Sequence, residues 1–328
     1  MTDLKYLHTV VQITDSMQKA LGEVPRRSGM YNWMFLFNGK MRAYKFLEEG
    51  ELEKNDVVQV NCSPMDMTLI NRLHEKLKNS STMLVLNNDY VAEAWDDWKF
   101  APDYYQTLLD KGDMIFGTEP CQTSHMGDRA YCFPHPTWTK MLKHYGRDPD
   151  KVKKGHIANI FHWWDGRTFS SHLCLEQLKK KHPTIWTKLY AYNPGNDKSA
   201  KYSKAMWDEI LPIMDYPGYL ESVMHNEFMY EPCQFHTYGR NTVDSACIGL
   251  PSMGSDRVWS LKHCFPEMVC DPGDLRKTRA IMEKIMKGGS WLDEQMDYAY
   301  DAVEYFNYKN SKERYLAALE ESRKRCGK

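Results

Sequence analysis

The sequence holds no Cys-x-x-Cys pair, no His-Glu-x-x-His, no phosphate-loop lysine motif and no Gly-x-Gly-x-x-Gly. Those absences leave ordinary zinc-finger, zincin, P-loop and dinucleotide-binding readings without support. No single charge sign dominates either: 43 Lys and Arg against 44 Asp and Glu give a net charge of −1. A chain so balanced carries no global electrostatic footprint for nucleic acid, so any such surface is local. The nine cysteines are odd in number and scattered. With no secretory leader and no apolar run of membrane-spanning length, they point to a reduced, cytoplasmic setting and to no membrane partner. Cys174, Cys247 and Cys270 sit in apolar surroundings and read as core fillers. Low-complexity tracts and fixed-period repeats are missing as well.

What is present is apolar and aromatic: 42% hydrophobic residues and 13% aromatics in a chain of 328. That length supports two domains, each with its own core. Strands are expected at residues 6–13, 56–61, 82–86, 113–117 and 131–133, with helices at 30–47, 68–78 and around 104–109. Leu69, Ile70, Leu73 and Leu77 have the spacing of one buried helix face. Strand, helix, strand units with polar residues after the strands argue for a doubly wound domain over residues 1–150. The charged, Pro- and Gly-bearing stretch 147–155 reads as the linker. The series then restarts, with strands at 156–162, 186–192, 228–230 and 264–270. Helices are expected at 170–179, 219–226, 241–248 and 274–287, and two more at 291–308 and 312–325.

The chain is organised around residues 229–256, MYEPCQFHTYGRNTVDSACIGLPSMGSD. A buried strand end feeds a loop rich in His, Tyr and Arg, then a small-residue helix closed by Gly249 and Pro251. Free N–H groups, the positive helix end and a fixed cation together suit a phosphate. Asp244, early in that helix, would accept hydrogen bonds from ribose hydroxyls while Arg240 and Thr242 face the phosphates. A second reading is open, in which Asp244 only complements the helix dipole and Arg240 is a solvated loop charge.

In order, the strand, Pro232-Cys233, the polar loop, the acid-bearing helix, Gly249-Leu250-Pro251 and a short strand ending in Gly254-Ser255 resemble the nucleotide-sugar site of GT-B glycosyltransferases. Asp244 stands where Glu is commoner, and Cys233 where Ser is usual. The resemblance implies an α/β fold of two Rossmann-like doubly wound domains facing across a cleft, with C-terminal helices crossing back. Its implied boundaries are an acceptor domain at 1–150, a nucleotide-sugar domain at 151–288 and returning helices at 289–328. It also implies a donor site made of Arg167, Tyr216, His236, Tyr238, Arg240, Asn241, Thr242 and Asp244. A cleft loop carrying Arg26, Arg27 and Gly29 would approach donor or acceptor; its other reading is a solvated basic turn. No metal or further cofactor is implied, and the co-substrate would be a nucleotide sugar, foremost a UDP-sugar.

Negative charge developing on the leaving diphosphate would be met by Arg240, Arg167 and the N–H groups near Asn241 and Thr242. If the sugar configuration inverts, a base must take the acceptor proton. Asp89, directly after the strand at 82–86 and Asn87-Asn88, is the first candidate and His125 the second, with Asp128 and His135 behind them. Each has a second reading, Asp89 as a turn or cap residue beside Asn87 and Asn88 and His125 as a loop residue, and under retention Asp89 becomes a binding residue. Basic clusters at Arg26-Arg27 and at Lys40 and Arg42 make the chain similar to viral transferases that glycosylate hydroxymethylated pyrimidines in DNA. Double-stranded DNA is therefore the leading acceptor, with Trp33, Trp95 or Trp98 expected to stack an exposed base. A glycan or protein acceptor, a nucleotide-sugar epimerase and a non-catalytic binding protein stand as alternatives, in a monomer or a homodimer.

Overall fold

The computed structural model describes residues 8–12, 32–33, 36–37, 40–43, 52, 55–62, 64, 67–88, 101–160, 169–190, 207–212 and 214–328. The chain divides into two compact units, one of Met1–Thr137 with Tyr308–Lys328 and the other of Trp138–Asn307.

In the first unit the described strands are β1 (His8–Gln12), β2 (Lys40–Ala43), β3 (Val57–Cys62), β4 (Met83–Asn88), β5 (Met114–Gly117) and β6 (Ala130–Cys132). They form one sheet in the order β2-β1-β3-β4-β5-β6, every pair parallel. The strands β3 and β4, VVQVNC and MLVLNN, are buried at every position, as a parallel sheet covered on both faces requires. Helix α1 (Met67–Leu77) lays Leu69, Ile70, Leu73 and Leu77 on one face, against Val58, Val60, Leu84 and Leu86. Helix α2 (Ala101–Lys111) adds Tyr104 and Leu108 to that layer. Trp33, Phe37 and the last helix of the chain, through Tyr315 and Leu319, cover Val57, Val85, Met114 and Phe116 on the other side.

Two expectations fail in this unit. Residues 30–47 are not one helix, because β2 pairs with β1 in the register Thr9↔Lys40. The Asn38-Gly39 dipeptide is a turn signal that argues against a continuous helix there. Trp33 offers no stacking face: it is fully buried, edge-on to Phe116 at 5.2 Å, and its Nε1 donates to His135 Nδ1 at 3.1 Å. Buried indoles need such a partner, so His135 is part of the same core. Trp95 and Trp98 lie outside the described residues.

The second unit runs α3 (Thr139–Lys143), β7 (Lys153–Ile160), α4 (Phe169–Lys181), β8 (Trp186–Tyr190), β9 (Glu209–Leu211), α5 (Tyr216–Met224), β10 (Asn226–Glu231) and α6 (Arg240–Ile248). It continues through β11 (Ser252–Ser255), α7 (Trp259–Cys264), β12 (Val269–Cys270), α8 (Leu275–Lys287) and α9 (Ser290–Ala302). Its sheet is again wholly parallel, in the order β12-β11-β10-β7-β8-β9. The direction of winding reverses between β7 and β10, and ligands of such sheets bind outside the carboxyl ends of the strands at that reversal. Cys174 and Cys247 are core residues here, and burial pushes the Cys174 thiol up to about 12.

Residues 147–155 are not a linker but part of this unit. Lys153–Gly155 open β7, and the Arg147 amide and guanidinium bind carbonyls of Ile248, Met224, Asn226 and Glu227. The charge and Pro that make the stretch look exposed belong to a one-turn 3-10 helix, whose N-cap Asp148 accepts from Asp150 N at 3.0 Å and pairs with Lys151 at 3.3 Å. Residues 264–270 hold only the two-residue β12 rather than a full strand, Pro266 opening a 3-10 turn before it. At the far end, α9 packs Trp291, Leu292, Met296 and Ala299 on the second unit's core. Only Tyr308–Lys328, bearing α10 (Tyr308–Cys326), joins the first unit.

Candidate functional site

Helix α6 begins where β10 leaves the sheet, at the reversal of strand order. Gly239 caps it in the left-handed region at φ 78°, and a Cβ there would overlap Val258. Only glycine fits both the angle and the space. The Gly239 carbonyl accepts from Thr242 N at 3.2 Å and from Ser260 Oγ at 2.7 Å. The loop before it, expected to be irregular, is tied down along its length. Thr237 N donates to Arg257 O at 3.1 Å, Trp259 N to Thr237 O at 2.9 Å and Ser260 N to Tyr238 O at 3.0 Å, and the Arg257 guanidinium donates to Gln234 O.

Three of the expected donor residues meet in one ionic cluster. Arg240 Nε donates to Asp244 Oδ1 at 2.9 Å, one helical turn away. The Tyr216 hydroxyl at the start of α5 donates to the same oxygen at 2.8 Å, and Arg240 Nη2 donates to Tyr216 Oη at 3.3 Å. Burial works against the guanidinium charge, but Asp244, Tyr216 and Tyr238 outweigh it and hold Arg240 well above its ordinary range. Tyr216 is raised too, by burial first and by Asp244 second. Arg240 Nη1 is left buried with no hydrogen-bond partner among the described residues. An unmet, desolvated pair of N–H donors on a cation costs about 1–3 kcal/mol or more, and it fits an oxygen-bearing anion.

The other expected residues lie differently. Asp244 is fully buried, and its Oδ1 holds both Arg240 Nε and the Tyr216 hydroxyl. Thr242, also fully buried, donates its hydroxyl to Glu231 Oε2 at 2.7 Å. Tyr238 packs into the core against Phe306 at 5.8 Å and Trp259 at 6.4 Å. Asn241 is buried in the first turn and His236 is half-buried in the loop. Asp89, Arg167, Arg26, Arg27 and Gly29 lie outside the described residues, and of His125 only the backbone is described, in the 3-10 segment Ser124–Arg129. Asp128 is exposed in the same segment.

Sequence reasoning missed Glu231, a fully buried carboxylate at the end of β10. Its backbone passes so near β11 that a Cβ on Gly254 would overlap the Glu231 carbonyl. The available signal was the acid ending the apolar run Phe228-Met229-Tyr230, beside a glycine in the neighbouring strand.

No family model and no curated protein matches the chain. Solved structures do. An alpha-glucosyltransferase in complex with UDP and a 13-mer DNA containing an HMU base aligns at a TM-score of 0.65 and 11% identity, over 96% of this chain and 100% of the other. A trehalose-6-phosphate protein from E. coli bound with UDP-2-fluoro glucose aligns at 0.67 and 8%, over 95% and 98%. Sucrose-phosphate synthase from Thermosynechococcus elongatus aligns at 0.66 and 12%, over 84% and 77%. The chain has the GT-B fold. Both parallel sheets expected of a GT-B protein are present, and the last helix returns to the first unit as the fold implies. At these identities the likeness carries the architecture alone, and the chemistry must come from residues such as Arg240.

Proposed function

We propose that this GT-B protein is a glycosyltransferase that moves a sugar from a nucleotide-sugar donor, foremost a UDP-sugar, to an acceptor hydroxyl. The observation that carries the reading is Arg240 Nη1, a buried donor without a partner among the described residues, at the start of α6 and at the switch point of the second sheet. Asp244 and Tyr216 grip the rest of that guanidinium, so its free edge keeps one direction. A diphosphate oxygen accepts from that edge. As the bond from the anomeric carbon to the phosphate oxygen breaks, the growing charge on the diphosphate is stabilised by a donor already in place, which needs no reorganisation during the step. The acceptor oxygen forms the new bond to the anomeric carbon. Its proton passes to Asp89, or to His125, if the configuration inverts, and to the departing phosphate if it is retained.

The leading acceptor is a hydroxymethylated pyrimidine in double-stranded DNA, and the setting is cytoplasmic. The acceptor reading is supported by the chain's full-length likeness to a UDP- and DNA-bound alpha-glucosyltransferase. The test incubates the protein with a panel of nucleotide sugars and either hydroxymethylated or plain DNA, followed by nucleoside mass spectrometry and, separately, donor binding by calorimetry. The expected result is a sugar-sized mass gain on modified DNA only, with donor binding reduced roughly a hundredfold by Arg240→Ala, a loss of about 3 kcal/mol. Donor binding without mass gain on DNA sinks the acceptor assignment, and failure to bind any nucleotide sugar sinks the transferase reading.

A further inference from the structure

A cavity of about 410 Å³ opens at the other end of α6, lined by Ile248 and Gly249 of its last turn and cap and by Arg147, Glu227, Leu292 and Tyr300. Nine residues of helix place it about 12 Å along the axis from Arg240, so it is separate from the donor site. Its volume is in the range of small-molecule sites, roughly 300–1,000 Å³.

The charges around it do not cancel. Lys143 is matched by Glu304 at 2.6 Å and donates to Tyr300 O at 2.8 Å. Glu227 spends one oxygen on Lys154 at 3.2 Å and the other on Gly155 N at 2.7 Å. Among the described residues Arg147 is the one lining cation with no carboxylate hydrogen-bonded to it: Nε donates to Met224 O at 3.2 Å, and Nη2 to Glu227 O at 2.8 Å and to Asn226 O. Its Nη1 carries no hydrogen bond among the described residues. Burial draws the guanidinium down to about 10, Glu227 opposing, and an anion beside it would relieve that penalty. Ile248, Pro251, Ile285 and Leu292 add apolar side chains to the same lining, and the Tyr300 ring, 48% exposed, lies under Lys143 Nζ at 3.7 Å.

We propose that this cavity binds a small organic anion with an apolar body, its acid group on Arg147 Nη1 and its body between Leu292 and the Tyr300 ring. A carboxylate and a phosphate monoester share that chemistry. The site does not depend on the identity of the donor or acceptor.

Calorimetric titration of the full chain with phenylacetate and, separately, phenyl phosphate tests this. At least one probe should bind saturably, and the stronger of the two identifies the acid group. Leu292→Trp, which fills the cavity, should abolish that binding, and Arg147→Lys, which keeps the charge but loses the forked donors, should weaken it roughly tenfold. Arg147 also holds backbone carbonyls, so thermal unfolding of both variants is measured alongside. If Arg147→Lys lowers the melting temperature, the outcome is decided by Leu292→Trp and by Tyr300→Ala, which should weaken binding several-fold. No saturable binding of either probe, or binding that Leu292→Trp leaves intact, overturns the proposal.

Discussion

At the carboxyl edge of the first sheet a cluster of buried neutral amides is hydrogen-bonded together, with the buried carboxylate Glu119 beside it, whereas at the carboxyl edge of the second the hydrogen-bonded cluster is ionic, with the buried amide Asn159 beside it. In the first, Asn87 Nδ2 donates to Asn61 Oδ1 at 2.7 Å, Asn88 Nδ2 to Gln122 O at 2.7 Å, and the Tyr104 hydroxyl to Asn88 Oδ1 at 2.9 Å. In the second, Arg240, Asp244 and Tyr216 close a triangle, and Glu231 takes the Thr242 hydroxyl. Both edges leave atoms buried without partners among the described residues, Asn61 Nδ2 and Asn87 Oδ1 on the amide edge and Arg240 Nη1 on the ionic one, but they do not cost the same. An ionic edge has less freedom, because an unpaired buried charge costs several kcal/mol where an unmet amide costs about 1–3 kcal/mol. The ions are thereby held to one geometry. A fixed geometry is what a site needs to meet charge that develops during a reaction.

Disrupting the ionic edge should therefore cost the most. Arg240→Ala leaves the Asp244 carboxylate buried with only Tyr216 of the triangle, and should destabilise the protein by about 3–5 kcal/mol in urea unfolding at neutral pH. The double variant Arg240→Leu with Asp244→Leu removes both charges and should recover most of that stability while donor binding stays lost. A single-variant cost below about 1 kcal/mol would mean the pair is solvated and the contrast between the edges is false.

The amide edge should respond more mildly. Asn87→Leu strips Asn61 Oδ1 of its donor and should cost about 1–3 kcal/mol. Replacing both, Asn61→Leu with Asn87→Leu, removes the unmet atoms together and should bring unfolding back toward the parent. If the double variant were the worse of the two, the free amide atoms would be satisfied by something the paired hydrogen bond does not account for, such as ordered water.

Much of this architecture is legible in the order of residues alone. The uniformly apolar runs at 83–86 and 228–230 mark strands buried on both faces, and the period of Leu69, Ile70, Leu73 and Leu77 marks a helix with one buried stripe. The order of strand, Pro-Cys, loop, acid-bearing helix and Gly-Leu-Pro places α6 within one residue of its observed start. What a linear reading cannot reach is tertiary. Arg240 and Asp244 stand four apart on a helix, the spacing of an ion pair, yet whether they face each other or a ligand depends on Tyr216, 28 residues from Asp244. Trp33 reads as available because nothing local says that His135, 102 residues later, takes its N–H. Arg147 reads as a linker charge because its acceptors are carbonyls about 80 residues on, and backbone acceptors leave no mark in side-chain composition.

Tyr216→Phe should have the mildest consequence, and it probes the contrast most finely because it removes one hydroxyl from the ionic edge while keeping both charges. Asp244 retains Arg240, so at neutral pH the loss should be only about 1 kcal/mol. The pH dependence is more telling. Burial first and Asp244 second hold the folded hydroxyl well above the ordinary tyrosine range, while in the unfolded chain it ionises near pH 10. The folded state thus keeps a proton that the unfolded chain gives up. Its contribution is complete below about pH 10 and declines as pH rises from there toward the folded value. Unfolding free energies of parent and variant, measured from about pH 8 to pH 11, should therefore draw together at the alkaline end. A gap that stays constant across that range would place the Tyr216 hydroxyl in water instead of in the triangle, and Arg240 would lose one of the two groups that aim it.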